Sequence, residues 1–448
     1  MSQSNAPAPY RTVLRGWGGG PGAPALLLTP DEGGDLRSAL AAGGAAARGV
    51  IARGLGRSYG DAAQLRDGLV VATTRLKGYE LDGEAGIVTA GAGVTIGELL
   101  GALVPRGWMV PVVPGTQHVT LGGAVASDIH GKNHGTAGSF GAHVRGLGLL
   151  LASGEVVELA PEDELFAATV GGMGLTGVIV WVKLALRAVT SALLTVDTDR
   201  VDSLDDSLAL LSGPGGPHRV AWLDLLGPRP VRGVVTRAEH REAGSTDGAT
   251  VAARATVPAA WPAGLLRRTT IRAFNELRYR MAPRIERDAV EPLGRHMFPL
   301  DALDAWPRLY GRTGFVQYQL VVPYGQERAL ERVIERLRRS SAPCYLAVLK
   351  DFGPAGGPPL SFPIAGWTLA LDLPRNAPAL TTLLDGFDEL VAGAGGRVYL
   401  SKDARIKPDV FAAMYPRLAE WRAIRDAADP DGVWRSDLGV RVRLVSPR

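Results

Sequence analysis

The chain has 448 residues, 46% of them hydrophobic, with 58 glycines, 31 prolines and a formal net charge of +4. That length exceeds the ~250–300 residues at which a single hydrophobic core stops growing, so two domains and a core large enough for an enzyme are expected. So small a charge excess, with no basic stripe interleaved with aromatics, argues against a nucleic-acid partner. The single cysteine, Cys344, leaves no internal disulfide and fits a reducing compartment. With no signal-peptide pattern and no run of eighteen apolar residues, the expected location is cytoplasmic, soluble or peripheral to a membrane.

In chain order, GVIARG (49–54), GLVVATT (68–74) and GIVTAGAG (86–93) read as short strands broken by glycine, and TIGELLGALVPRG (95–107) as a helix with Thr95 at its N-cap. A hairpin pattern over 146–160, a helix over 161–170 and a strand over 178–186 follow. Short strands with interposed helices, lacking a regular βαβ alternation, point to an α+β domain of about 190 residues. The polar stretch TRAEHREAGSTDGAT (236–250) reads as a mobile loop. Strands over 314–323, 343–353 and 366–374, with amphipathic helices over 326–340 and 379–393, form a second α+β unit. A single C-terminal helix is predicted from Pro408, in its first turn, to the Asp-Pro pair at 429–430.

Glycine spacing carries the first functional signal. Residues 172–177 spell G-x-G-x-x-G, but a helix pattern precedes them and a strand follows, the reverse of a Rossmann turn, so Asp197 twenty residues on has no ribose to meet. RGLGRSYGD (53–61) and PGTQHVTLGGAVASDIHG (114–131) instead expose successive backbone N–H groups, which cradle anions without a helix. Two such loops flanking one groove suit a diphosphate.

Those two stretches, continued through KNH (132–134), together with GGMGLTGVI (171–179) resemble the FAD-binding elements of the vanillyl-alcohol-oxidase (PCMH-type) flavoproteins. GFVQYQLVVP, LKDFG, SFPIAGWTLALDLP, YLSKDAR and AMYPRLAEW narrow the resemblance to that family's decaprenylphosphoryl-β-D-ribose 2′-oxidase branch. The resemblance implies an FAD domain of residues 1–190 and 397–448 and a substrate domain of residues 191–396 over an antiparallel sheet, with the isoalloxazine at their junction. It implies FAD contacts from Arg53, Gly54, Leu55, Gly56, Arg57, Ser58, Tyr59, Gly60 and Asp61 in the first loop. The second contributes Pro114, Gly115, Thr116, Thr120, Gly122, Gly123, Ala126, His130, Gly131 and Asn133; Gly174, Gly177, Val178, Ile179 and Tyr399 complete the set. Tethered relatives carry histidine where Arg57 stands. Arginine cannot form that bond but pairs with phosphate oxygens, so non-covalent FAD is expected.

Oxidising a sugar hydroxyl requires a base, a carbinol C–H facing the flavin and a cation beside the reduced ring. Lys402 matches the family's active-site lysine and is one of only six lysines against 43 arginines. His130 is expected as general base or hydroxyl-orienting group, with a structural role as the alternative, and Tyr59 joins them in the catalytic set. His118, His130, His134 and His143 cluster in sequence, but Gly131 and Gly135 argue against the helix a His-x3-His zinc pair needs, so no metal is expected. For the substrate, the resemblance implies Tyr310, Gln317, Gln319 and Lys350, with Trp222 and Lys132 also assigned to it. Gln317 and Gln319 have strand spacing and share a face. Ala370 stands where the family's best-known members have cysteine.

The implied activity is FAD-dependent oxidation of the 2′-hydroxyl of a polyprenyl-phosphoryl-β-D-ribose to the ketone, with a separate NAD(P)H-dependent keto-reductase completing an epimerisation for cell-wall arabinan. The alternatives are a flavin oxidase of the same fold acting on a soluble polyol or lactone, and a non-catalytic flavin-fold binding protein. Between Gly264 and Arg287, seven arginines oppose Glu276 and Glu286, and Leu266, Phe274, Leu277 and Met281 form one helical stripe. This segment reads either as a membrane-contacting helix or as a core-packing helix with a solvated arginine face.

Overall fold

The computed structural model describes residues 8–31, 48–227, 231–261 and 266–446. It is a mixed α+β structure with a four-stranded sheet, a five-stranded sheet and a large eight-stranded antiparallel sheet. Strands β1 (Tyr10–Leu14), β2 (Ala23–Leu28), β3 (Val50–Arg53) and β4 (Leu69–Ala72) form a four-stranded sheet of order β1-β2-β4-β3. The pairs β2–β4 and β3–β4 are parallel. The four residues of β4, LVVA, are all buried, as an interior strand requires.

A second, antiparallel sheet contains β5 (Tyr79–Asp82), β6 (Ile87–Gly91), β8 (Val144–Leu150), β9 (Val156–Leu159) and β10 (Val178–Ala185), in the order β5-β6-β10-β8-β9. The short strands β7 (Trp108–Met109) and β11 (Arg187–Ala188) pair beside it. Helix α1 (Ile96–Leu103) starts at Thr95 as predicted, with a capping box: Thr95 Oγ1 accepts from Glu98 N–H, and the Glu98 carboxylate accepts from Thr95 N–H at 2.7 Å. Helices α2 (Leu121–Ala126), α3 (His134–Ala137) and α4 (Glu164–Thr169) complete this half.

The large sheet has eight antiparallel strands: β12 (Leu193–Val201), β13 (His218–Asp224), β14 (Arg232–His240), β16 (Ile285–Pro292), β18 (Phe315–Pro323), β19 (Leu346–Phe352), β20 (Gly366–Pro374) and β21 (Arg397–Val398). Their order is β16-β12-β14-β13-β19-β20-β18-β21, and β15 (Ala255–Thr256) pairs separately with β17 (Leu303–Asp304). Helices α5 (Leu204–Ser212), α6 (Arg268–Met281), α7 (Leu293–Met297), α8 (Glu327–Arg339) and α9 (Leu380–Gly393) accompany it. Along β18 the two-residue period separates two environments: Val316, Tyr318, Leu320 and Val322 enter the core with Leu330, Val333 and Leu337 of α8 and Leu384, Phe387 and Val391 of α9. Gln317 and Gln319 take the other face, which is the one that meets the cleft.

Three expectations are corrected. The C-terminal helix is two helices, α10 (Pro408–Met414) and α11 (Leu418–Ala428), followed by α12 (Asp437–Arg441). The break falls at Tyr415 (φ −122°, ψ 83°), because Pro416 disfavours helical geometry in the residue before it. The polar stretch over 236–250 is not all loop: Thr236–His240 finish β14, paired with β12 through Val196↔Ala238. Residues 121–126, read as open glycine backbone, form α2, capped by Thr120 Oγ1 accepting from Gly123 N–H.

Candidate active site

One cleft collects most of the predicted positions. Its walls include Gly54, Leu55, Gly56, Arg57, Ser58 and Tyr59 from the loop after β3, and Pro114, Gly115, Thr116, Thr120, Gly122, Gly123, Ala126 and His130 from the second glycine stretch. Gly174 and Gly177 enter from the turn before β10 and Ile179 from β10 itself, and Gln317, Gln319, Lys350, Ala370, Tyr399 and Lys402 close the far end. The G-x-G-x-x-G stretch thus reaches the cleft as a turn, with Met173 and Gly174 at positive φ (56° and 76°), not as the start of a helix.

The two glycine loops work differently. No backbone hydrogen bond joins the N–H groups of Leu55, Gly56, Arg57 or Ser58 to another described residue, which leaves a run of donors for an anion. Gly56 has φ 65°, and a Cβ there would lie 2.2 Å from the Arg53 guanidinium. In the second stretch, Leu121, Gly122 and Gly123 N–H are consumed by Val94 O, Ala92 O and Thr120 Oγ1. Its glycines provide room instead: nothing lies within 4 Å of a Cβ built on Gly115. The Arg57 guanidinium stacks 3.7 Å from the centre of the Trp17 ring, with Nε donating to His118 O at 3.2 Å, so its terminal nitrogens are left for phosphate oxygens. Apolar walls, free N–H groups and a fixed guanidinium fit FAD.

At the other end the large sheet supplies polar groups in register. Gln319 pairs with Ala370 and Ala370 with Val348, while Gln317 pairs with Asp372, and cross-strand partners share a face. Gln317 Nε2 donates to Asp372 Oδ1 at 2.6 Å, and Tyr310 Oη to Asp372 Oδ2 at 2.9 Å. Gln319 Nε2 donates to Thr368 Oγ1 at 3.1 Å, and Thr368 gives its own proton to Leu320 O. That fixes the amide, whose other hydrogen goes to His130 Nε2 at 2.9 Å. His130 Nε2 is therefore an acceptor already occupied, the ring proton sits on Nδ1, and Nδ1 is buried without a protein partner. Burial first, and Lys350 second, push His130 well below its usual value, so it is a neutral N–H donor. With Nε2 engaged by Gln319, Nδ1–H is the group His130 presents.

Lys402 sits 3.9 Å from the Tyr59 ring centre. Burial lowers it to about 7, with Asp372 opposing the shift. Burial also lowers Lys350 to about 8 and raises Asp372 to about 6. Lys350 Nζ lies 3.5 Å from Gly131 O. Tyr59 is pushed well above 10 by burial and stays a phenol.

Several predicted residues stand outside the cleft lining. Arg53 donates to Ala63 O and Arg15 O, each at 2.8 Å; Asp61 receives Arg441 at 2.7 and 2.8 Å; and Asn133 donates to Pro111 O at 3.0 Å. A Cβ on Gly60 would strike Asp403 O, and one on Gly131 the Asn133 side chain, so these glycines permit close packing. Val178 is buried with Val50 and Trp434. Tyr310 supports Asp372 from behind the lining. Lys132 and Trp222 are turned away: Lys132 Nζ bonds to His296 O, and Trp222 packs with Val234 and Tyr279 under Arg278. His134 and His143 bond to Ser139 and Ala137 O. Among the described residues no three His, Cys, Asp or Glu side chains gather as a metal site.

Trp17, Asp301, Trp306 and Ser401 also line the cleft, and with Asp372 they were not read from sequence. Asp301 accepts from Thr116 Oγ1 at 2.8 Å and Gln117 N–H at 2.7 Å, anchoring the second loop. The signal available was an acid inside an apolar strand, Asp372 in GWTLALDLP.

Comparison with known proteins agrees with this geometry. An FAD binding domain family matches residues 24–160. The decaprenylphosphoryl-beta-D-ribose oxidase of Mycolicibacterium smegmatis is 38% identical over 99% of this chain and 100% of its own length. An uncharacterized Streptomyces coelicolor protein is 38% identical over 78% of this chain and all of its own. An L-gulono-1,4-lactone dehydrogenase of Mycobacterium tuberculosis is 25% identical over 95% of this chain and 98% of its own. With a cleft suited to FAD, polar groups converging at one end and full-length likeness to a sugar oxidase, the chain belongs to the FAD-binding PCMH-type oxidase family, flavin oxidoreductases acting on alcohol and sugar groups.

Proposed function

We propose that this protein oxidises the 2′-hydroxyl of a polyprenyl-phosphoryl-β-D-ribose to the ketone, using non-covalent FAD, and that a separate NAD(P)H-dependent reductase completes the epimerisation. The observation that carries the reading is the convergence of Gln317, Gln319, His130, Lys350 and Lys402 at one end of the glycine-lined cleft. FAD, when bound, would supply the two-electron acceptor for the carbinol hydride. In this reading residues 1–190 and 397–448 hold the cofactor and residues 191–396 the substrate.

The free N–H groups of Leu55–Ser58 and the Arg57 fork hold the diphosphate. Gln317 and Gln319 orient sugar hydroxyls, and His130, its Nε2 pinned by Gln319, offers Nδ1–H to an oxygen. Lys350 meets the substrate phosphate. Lys402, held near neutrality by burial, supplies positive charge at the reacting end, and its uncharged fraction takes the hydroxyl proton. The test is anaerobic bleaching of the bound flavin: decaprenylphosphoryl ribose should bleach it far faster than ribose or gulonolactone. Equal rates would transfer the activity to a soluble sugar, and no bleaching by any of them would leave a binding protein.

A further inference from the structure

Helix α6 buries Ile271, Asn275 and Tyr279, an i, i+4, i+8 stripe. Asn275 Nδ2 donates to Asp224 Oδ1 at 2.8 Å, and Tyr279 packs with Trp222 and Val234. The helix's large apolar residues lie elsewhere: Phe274, Leu277 and Met281 are 57%, 58% and 75% exposed. They fall at i, i+3 and i+7, one face directed away from the sheet. Ile285, just beyond the helix, is 69% exposed. The helix thus packs on the sheet through Ile271, Asn275 and Tyr279, and the Phe274, Leu277 and Met281 stripe is not its packed face. A lone exposed apolar residue is ordinary; a stripe along two turns marks a contact surface.

Charge selects the occupant. From 266 to 287 there are seven arginines against Glu276 and Glu286. Glu276 is already claimed by Arg232 and Arg280, each at 2.6 Å, and Arg287 binds Asp199 at 2.6 Å. Arg267, Arg272, Arg278 and Arg284 have no carboxylate partner among the described residues. Apolar side chains flanked by unneutralised cations on an exposed helix match an anionic bilayer surface, where the apolar stripe enters the acyl boundary and the arginines meet headgroups.

We infer that α6 docks this protein on anionic lipid. The chain just before the helix also adjoins the substrate end of the cleft: Leu266 O accepts from Tyr345 Oη at 3.2 Å, the Tyr345 ring is 5.2 Å from Tyr310, and Tyr310 bonds to Asp372 behind Gln317. For its purpose, delivering a lipid-borne substrate, the inference rests on the function proposed above; the surface itself is independent of it.

The experiment sediments the FAD-loaded protein with vesicles of phosphatidylcholine alone or mixed with phosphatidylglycerol, without substrate. Binding should require phosphatidylglycerol and weaken with salt. The triple change Phe274→Ser, Leu277→Ser, Met281→Ser should weaken it at least ~10-fold, and Arg267→Gln, Arg272→Gln, Arg284→Gln should remove its salt dependence. All six side chains are exposed, so flavin content and melting temperature should be unchanged. Both variants should keep wild-type flavin reduction with a short-chain, water-soluble phosphoryl ribose. Failure to bind vesicles, binding unaffected by either variant, or a solution dimer dispersed by the apolar variant would overturn the inference, whatever sugar the enzyme oxidises.

Discussion

The Lys402 ammonium lies over the Tyr59 ring, 3.9 Å from its centre, and the two segments are tied by Tyr59 N–H donating to Ser401 O at 2.8 Å. A cation on an aromatic face in a buried cleft is held for electrostatic work. Lys402→Met should keep the fold and the FAD yet slow anaerobic flavin reduction at least ~100-fold, the scale of losing one preorganised charge. Lys407, exposed and paired with Asp385 at 2.8 Å, is the control, and Lys407→Met should leave the rate within about twofold of wild type. Stopped-flow traces that coincide for the wild type and Lys402→Met would remove Lys402 from the mechanism.

A pH dependence of stability follows from the buried cations. Burial lowers Lys402 and Lys132 to about 7 and Lys350 to about 8, against ~10.4 in an unfolded chain. Between those values the unfolded chain binds more protons, so stability rises with pH. The buried phenols of Tyr59 and Tyr310, pushed up, act in the opposite sense above about pH 9. The cofactor-free protein should therefore gain melting temperature from about pH 7 to about 10, where the three lysines outweigh the two tyrosines, and lose it only at higher pH. The rising limb should flatten in Lys402→Met and Lys350→Met; a level or falling wild-type limb would contradict the burial of these lysines.

Ala370 lines the cleft between its cross-strand neighbours Gln319 and Val348. Cys344 is buried and its thiol is pushed up by desolvation, so it should not react. In Ala370→Cys, a maleimide should therefore label the new thiol alone, and bound FAD should slow labelling at least ~10-fold by covering the cleft. Mass spectrometry of the labelled peptide decides the site. Labelling indifferent to FAD would put residue 370 beyond the cofactor's reach.

By the resemblance, Arg57 stands where tethered relatives have histidine; its Nε and its face are held by His118 O and Trp17, with the terminal nitrogens open toward the cleft. Acid precipitation should release all yellow colour into the supernatant. Colour retained on the polypeptide would show a covalent link and direct attention to His130.

What the sequence disclosed was local. Thr95 with Glu98 three residues on announces a capping box, and the alternation in FVQYQLVVP puts both glutamines on one face; each needs only its own neighbourhood. Pro416 was equally readable, yet the helical period on both sides concealed the break. The predicted residues that stand outside the cleft lining share another cause. Asp61, Asn133, Lys132 and Trp222 are polar or aromatic residues near motifs, and distant segments claim them: Arg441, Pro111, His296 and Tyr279. Trp17, Asp301 and Trp306 reach the cleft only through tertiary packing, which no spacing rule encodes.

The chain's end returns to its beginning. Val50 N–H donates to Val433 O at 2.8 Å, Arg435 N–H returns to Val50 O at 2.9 Å, and Arg441 clasps Asp61 at 2.7 Å. Trp434 is fully buried against Val50 and Leu69. Synthesis runs from the N-terminus, so a ribosome-bound chain carries the first glycine loop long before it carries the residues that brace it. The first glycine loop is consequently braced only after residues 433–441 have left the exit tunnel. Cofactor loading should then wait for those residues, and a chain stalled before residue 433 should emerge colourless even where FAD is plentiful.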